Sequence, residues 1–175
     1  SYFWSDKKYM KRLKNLEEFK TKIDVIKNSK NLLLVPHTGN IDFVVRAPSL
    51  FMKVSGMQRS AENKVWDKIM TEGRKKFINE LFLPNEGRKL LKALNKGDSV
   101  LYLTDQDYGY KKSIFLDFFN HKALTVIFPS LLVKRTSCKV FLLTLVKEGD
   151  FYIADIEELM LTGESVEEDL KIVNS

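Results

Sequence analysis

A chain of 175 residues with 44% hydrophobic and 11% aromatic residues can bury a substantial core in one domain, which excludes a disordered segment. Lysine and arginine outnumber aspartate and glutamate by 29 to 23, and the resulting +6 charge suits anionic lipid, phosphorylated ligands, an acidic carrier protein or nucleic acid without choosing among them. The single cysteine, Cys138, excludes an internal disulfide, and no run of about 18 apolar residues signals a membrane-spanning helix.

Met10, Leu13, Leu16, Phe19, Ile23 and Ile26 recur at helical spacing, which predicts one or two amphipathic helices with a basic face over 7–30. NLLLVP (31–36) predicts a short buried strand stopped by Pro36, and a helix is expected from about 40 to 52. A weaker strand follows over 52–59, then a helix over 62–77, a strand over 79–84, a helix over 86–97 closed by Gly97, and a strand over 98–104. DQDYGYKKSIFLDFFNHK (105–122) reads as a loop and ALTVIFPSLLVKRT (123–136) as a helix, with Pro129 in its first turns or at a kink. CKVFLLTLV and DFYIADIEE flank the turn KEGD as a hairpin, and the tail after Gly163 is polar. Cys138, inside the first of these runs, reads as a small buried hydrophobe rather than a nucleophile.

Strands alternating with helices predict an α/β fold: a mostly parallel central sheet flanked by helices and ending in a β-hairpin. Sites in such folds gather at the carboxyl ends of strands. His37, Arg59 and Asp105 all fall there.

His37 follows an apolar strand and precedes Asp42 by five positions, in PHTGNID. A neutral imidazole is the natural base for taking a proton from an alcohol, and a carboxylate on its other nitrogen fixes the tautomer. On one continuous helix, residues five apart diverge by about 140°. His37 is therefore expected in the loop before the helix and Asp42 in its first turns, with Thr38 or Asn40 as the cap. The backbone N–H groups of that helix start would face an anion. The spacing alone also fits a structural, hydrogen-bonded histidine, and short motifs of this kind arise by chance.

PHTGNID resembles the His-x4-Asp/Glu motif of glycerolipid and lysophospholipid acyltransferases, and most closely the late (secondary) lipid A acyltransferases of Gram-negative bacteria. GMQRSAENKVWD (56–67) is similar to that family's Tyr-Arg-Pro block, with Arg59 at the arginine. LTDQDYGYKKSIFLDFFNHKALT (103–125) resembles its Asp-Gln-Asp-x-Gly block and the aromatic stretch after it. The order and spacing of the three blocks agree over roughly residues 25 to 160. Here Ile41 replaces the family's Trp, Asp42 its Glu, Gln58 and Ser60 the residues flanking the arginine, and Asn120 a Gly.

The resemblance implies a glycerolipid acyltransferase-like fold in one acyltransferase domain over 1–175, a piece of a longer protein without the family's amino-terminal anchor and carboxyl-terminal segment. It implies transfer of a fatty acyl chain from a thioester, on acyl carrier protein or coenzyme A, to a hydroxyl of a phosphorylated lipid A precursor. His37 and Asp42 would be the catalytic dyad. Gly39, Asn40, Arg59, Asp105, Gln106, Asp107, Tyr108, Phe115, Phe118 and Phe119 would form the substrate-binding surface. Arg59 would hold a phosphate through its planar fork, and free N–H groups near Gly39 would face the oxyanion. No cofactor, metal or nucleic acid is called for. The expected location is the cytoplasmic face of the bacterial inner membrane, held at the membrane surface.

Alternatives remain at this level. Asp105 and Asp107 read as braces for the His37 site, as turn residues, or as metal ligands. Phe115, Phe118 and Phe119 read as a core strand, an acyl-chain wall, or an edge that dips into a membrane. His121 lacks an acid at the family spacing and reads as a surface residue. Rival functions are a phospholipid-synthesising glycerophosphate acyltransferase, a metal-dependent hydrolase on His37, Asp42, Asp105 and Asp107, and a non-catalytic lipid-binding module.

Overall fold

Asn31–Leu34 is buried at every position, so this strand (β1) has no face to show to water and must lie inside a sheet covered on both sides. The computed structural model, which describes residues 4–37, 41–106 and 109–175, places it so. Before it come α1 (Asp6–Met10) and α2 (Leu16–Ile26). After it come α3 (Ile41–Val44), a 3-10 turn (Pro48–Leu50), β2 (Val54–Met57), α4 (Lys64–Arg74), β3 (Leu81–Phe82), α5 (Gly87–Asn95) and β4 (Ser99–Tyr102). The rest is β5 (Ser113–Phe118), β6 (His121–Val126), α6 (Phe128–Thr136), β7 (Lys139–Glu148), β8 (Phe151–Leu159) and α7 (Val166–Asn174).

Six strands form one sheet in the order β3-β2-β4-β1-β7-β8, parallel throughout except for the β7–β8 hairpin at its edge. This is the α/β architecture expected from the alternation of elements. Successive side chains of a strand point to opposite faces. Leu33 therefore joins Phe19, Ile23, Phe43 and Leu143 on one side, while Leu32 and Leu34 join Leu90, Leu94, Leu132 and Val140 on the other. Asn31, fully buried at the start of β1, donates to Ile26 O (2.8 Å) and to Ser99 Oγ (2.9 Å), tying the end of α2 to β4. Among the described residues no helix is long and apolar enough to cross a membrane.

Three stretches differ from expectation. The sequence predicts a loop over 105–122 and a helix over 123–136, but β5 and β6 pair as an antiparallel hairpin and the helix begins only at Phe128. The hairpin turn, Phe119-Asn120, has no glycine to announce it. Pro129 sits in the first turn of α6, where a missing N–H leaves no bond unmade. The helix expected over 40–52 has only Ile41–Val44 in α form, and Pro48 opens the separate 3-10 turn. The polar tail holds α7, capped by the Ser165 hydroxyl accepting from the Glu168 N–H.

Asp169 anchors that last helix. Its buried carboxylate accepts from Ser130 Oγ (2.5 Å) on α6 and from the N–H groups of Thr162 (2.8 Å) and Gly163 (2.9 Å). Gly163 pays for this closeness with a φ of +72°, and an added Cβ would stand 2.6 Å from Lys134 N. Gly163→Ala is therefore expected to lower unfolding stability by about 2 kcal/mol or more, from left-handed strain plus collision. Gly149→Ala, at φ +59° with open space around it, should cost about 1 kcal/mol, from strain alone. Urea unfolding of both variants checks the ranking; equal losses would contradict it.

Candidate active site

Parallel pairing of β1 with β4 sets Leu34 opposite Tyr102. Three residues further along each strand's path stand His37 and Asp105, so the register itself brings the two side chains together. The His37 N–H donates to Asp105 Oδ2 at 2.6 Å, and His37 Nδ1 lies 2.5 Å from Asp105 Oδ1. A carboxylate accepts, so Nδ1 carries the proton, and in the neutral ring the lone pair is then on Nε2. Gln106 Nε2, 3.1 Å from His37 Nε2, completes this arrangement as a donor. Burial pushes the Asp105 carboxyl up, but the hydrogen bonds from the His37 ring and backbone, with the attraction of His37, outweigh it and hold Asp105 below its ordinary value.

Asp42, on the first turn of α3, accepts from Arg74 Nε at 2.7 Å. Arg74 Nη1 donates to Gln58 Oε1 at 3.0 Å, and Gln58 Nε2 donates to Thr71 Oγ1 at 2.7 Å. This network ties α3, the end of β2 and α4 into one wall. The two ring nitrogens of His37 thus face Asp105 and Gln106, while Asp42 faces Arg74.

The wall and the His37 loop enclose a cavity of about 470 Å³. Ile41, Val45, Met57, Ile78, Leu81 and Leu103 give it apolar lining, and His37, Gln58, Arg59, Arg74 and Gln106 are among its polar groups. Arg59, exposed beyond β2, stands on the same carboxyl edge of the sheet as His37 and Asp105. Such a cavity suits an apolar chain attached to a polar reacting group.

Of the residues singled out in the sequence, His37, Arg59 and Gln106 line the cavity and Asp105 braces His37. Gly39, Asn40, Asp107 and Tyr108 lie outside the described residues. Phe115, Phe118 and Phe119 are exposed on the β5–β6 hairpin and are not among the lining residues. Arg74 escaped sequence reasoning because EGRKKF reads as one more solvated basic face. Its neighbour Gln58 had stood out only as a departure from the family's pattern. Among the described residues no three histidine, cysteine, aspartate or glutamate side chains converge as metal ligands.

A family model described as bacterial lipid A biosynthesis acyltransferase matches residues 2–157. The chain is 25% identical over 154 residues to a lipid A biosynthesis palmitoleoyltransferase of Escherichia coli (strain K12), covering 86% of this chain and 50% of that protein. It is 33% identical over 98 residues to a lipid A biosynthesis myristoyltransferase of the same strain, covering 53% and 29%. With a lipid A biosynthesis acyltransferase of Haemophilus influenzae it shares 27% identity over 123 residues, covering 68% and 38%. The chain spans about half the length of the palmitoleoyltransferase and less of the other two.

The His37–Asp105 contact has a pH signature. A carboxylate whose folded pKa is depressed stabilises the fold fully above its unfolded pKa, about 3.9, and loses that contribution as pH falls through the lower folded value. The stability difference between the protein and Asp105→Asn should be largest near neutral pH and shrink below about pH 4. Chemical denaturation across that range measures it, and a difference independent of pH would contradict the contact.

Proposed function

This chain belongs to the bacterial lipid A biosynthesis acyltransferase family, and from that premise we propose that it transfers a fatty acyl chain from a thioester to a hydroxyl of a phosphorylated lipid A precursor. The observation that carries the reading is His37 in the lining of a partly apolar cavity, with Nδ1 on a carboxylate and Nε2 turned to the Gln106 amide.

In this reading the acceptor hydroxyl takes the place of the Gln106 amide and donates to His37 Nε2. Nε2 removes the proton as the oxygen attacks the thioester carbonyl, and the Asp105 carboxylate steadies the imidazolium that forms. The tetrahedral intermediate collapses to the ester, the carbon–sulfur bond breaks, and the proton held by His37 passes to the departing thiolate. No covalent acyl-enzyme is required. The apolar lining receives the acyl chain, and Arg59 holds the acceptor's phosphate through its bidentate fork. Asp42, through Arg74 and Gln58, shapes the wall on which the acyl chain rests, and Asp105 is the carboxylate that orients His37. The donor is a fatty acyl group on acyl carrier protein, whose acidity suits the +6 charge of this chain, or on coenzyme A. The site of action is the cytoplasmic face of the bacterial inner membrane, with this domain at the membrane surface.

The test is acyl transfer from a thioester donor to a phosphorylated lipid A precursor. His37→Ala should abolish it, and Asp105→Asn should lower kcat by about a hundredfold or more with the protein folded. Asp42→Asn should act mainly on KM, because it loosens the cavity wall. If Asp42→Asn removes turnover while Asp105→Asn leaves it, the orienting carboxylate is Asp42. If His37→Ala retains turnover, the mechanism fails. Arg59→Lys should weaken use of the phosphorylated acceptor and spare an acceptor without phosphate; equal losses on both would remove Arg59 from phosphate recognition.

A further inference from the structure

We propose that the β5–β6 hairpin is a membrane wedge, its Phe118–Phe119 tip entering the interface of an anionic bilayer while Lys111, Lys112 and Lys122 meet the headgroups.

The hairpin is fixed at its base and bare at its tip. The Ile127 N–H donates to Lys112 O at 3.0 Å, Asn174 Nδ2 donates to Thr125 Oγ1 at 2.9 Å, and Ser113, Thr125 and Val126 are buried. Each strand has six residues, a reach of about 20 Å. At the far end Phe118 and Phe119 pack edge to face, their centroids 4.6 Å apart, and Phe119 remains 83% exposed. Tyr110 and Phe115, also exposed, form a second ring pair at 5.8 Å.

Neither folding nor turn chemistry accounts for Phe119. The two residues between the strands have φ of 48° (Phe119) and 64° (Asn120), the left-handed pair of a tight hairpin turn. Asparagine and glycine suit both places, and a bulky side chain at the first is strained. The chain therefore holds a large apolar ring in water on a backbone that disfavours it. Strain retained at an exposed position points to use.

The surrounding charge selects the partner. Lys111 and Lys112 lie at the base of the hairpin and Lys122 lies near its tip, against one aspartate, Asp117, which Lys122 meets at 2.8 Å. Exposed rings at the tip of a hairpin that carries a net positive charge match the interface of a bilayer rich in anionic lipid. The wedge rests on the proposed lipid acceptor for its purpose, but docking is read without turnover.

The experiment is co-sedimentation of the protein with vesicles of phosphatidylcholine containing phosphatidylglycerol, beside vesicles of phosphatidylcholine alone. Phe119→Asn relieves the turn and removes the ring, so the two effects separate. Its midpoint of thermal unfolding should rise by about 2–4 °C, and its affinity for the anionic vesicles should fall about tenfold. Phe119→Gly should bind as weakly as Phe119→Asn, and Phe118→Ser should also lose affinity. High salt should weaken wild-type binding. Wild-type binding by a folded Phe119→Asn would overturn the proposal. So would failure of the wild type to bind anionic vesicles at low salt, or a loss seen only in Trp66→Ser on α4, where Val65, Trp66 and Ile69 form another exposed apolar stripe. His37→Ala should bind as wild type does. A wild type that docks but transfers no acyl group would leave the wedge standing and refute the acyl-transfer reading.

Discussion

The contact between His37 and Asp105 depends on the parallel pairing of β1 with β4. Both strands are buried at every position, both end at the same edge of the sheet, and the register carries the two loops forward in step. Two hydrogen bonds from one residue to one carboxylate then fix the backbone and the ring together. A slip of one residue along β1 would turn Leu33 from one core layer into the other and carry His37 away from Asp105. The packing of an apolar strand thus sets the orientation of a polar ring.

The other side of the site is held by different physics. Asp42, Arg74, Gln58 and Thr71 form a partly buried chain of donors and acceptors across three elements. Such a chain positions its members only while every link is made, because a desolvated group without its partner is costly. It leaves the apolar side chains of Ile41, Val45 and Ile78 to line the cavity. Asp105, just past β4, meets the His37 ring, and Asp42, on α3, meets the Arg74 guanidinium.

The sheet was legible in the sequence because its signal is local. NLLL and SVLY are too apolar for any strand but a central one, and the alternation of strands with helices fixed the parallel order. His37, Arg59 and Asp105 were legible as strand-end residues. The pairing of Asp42 with Arg74 was not, because it joins positions 32 apart and a lysine-rich helix gives no sign which cation turns inward. The β5–β6 hairpin was hidden by its own turn: Phe119-Asn120 lacks the glycine that marks a tight reversal. The terminal helix was hidden by composition, since its one fully buried apolar side chain, Leu170, is flanked by charges.

The most direct measurement is the tautomer of neutral His37, read from long-range nitrogen–proton correlations in an isotope-labelled protein. There are two histidines, so His121→Gln assigns the signals. A proton on Nδ1, held by the Asp105 carboxylate, leaves Nε2 as the base facing the cavity, and this is the result the account predicts. A proton on Nε2, or a His37 signal unchanged by Asp105→Asn, would contradict it.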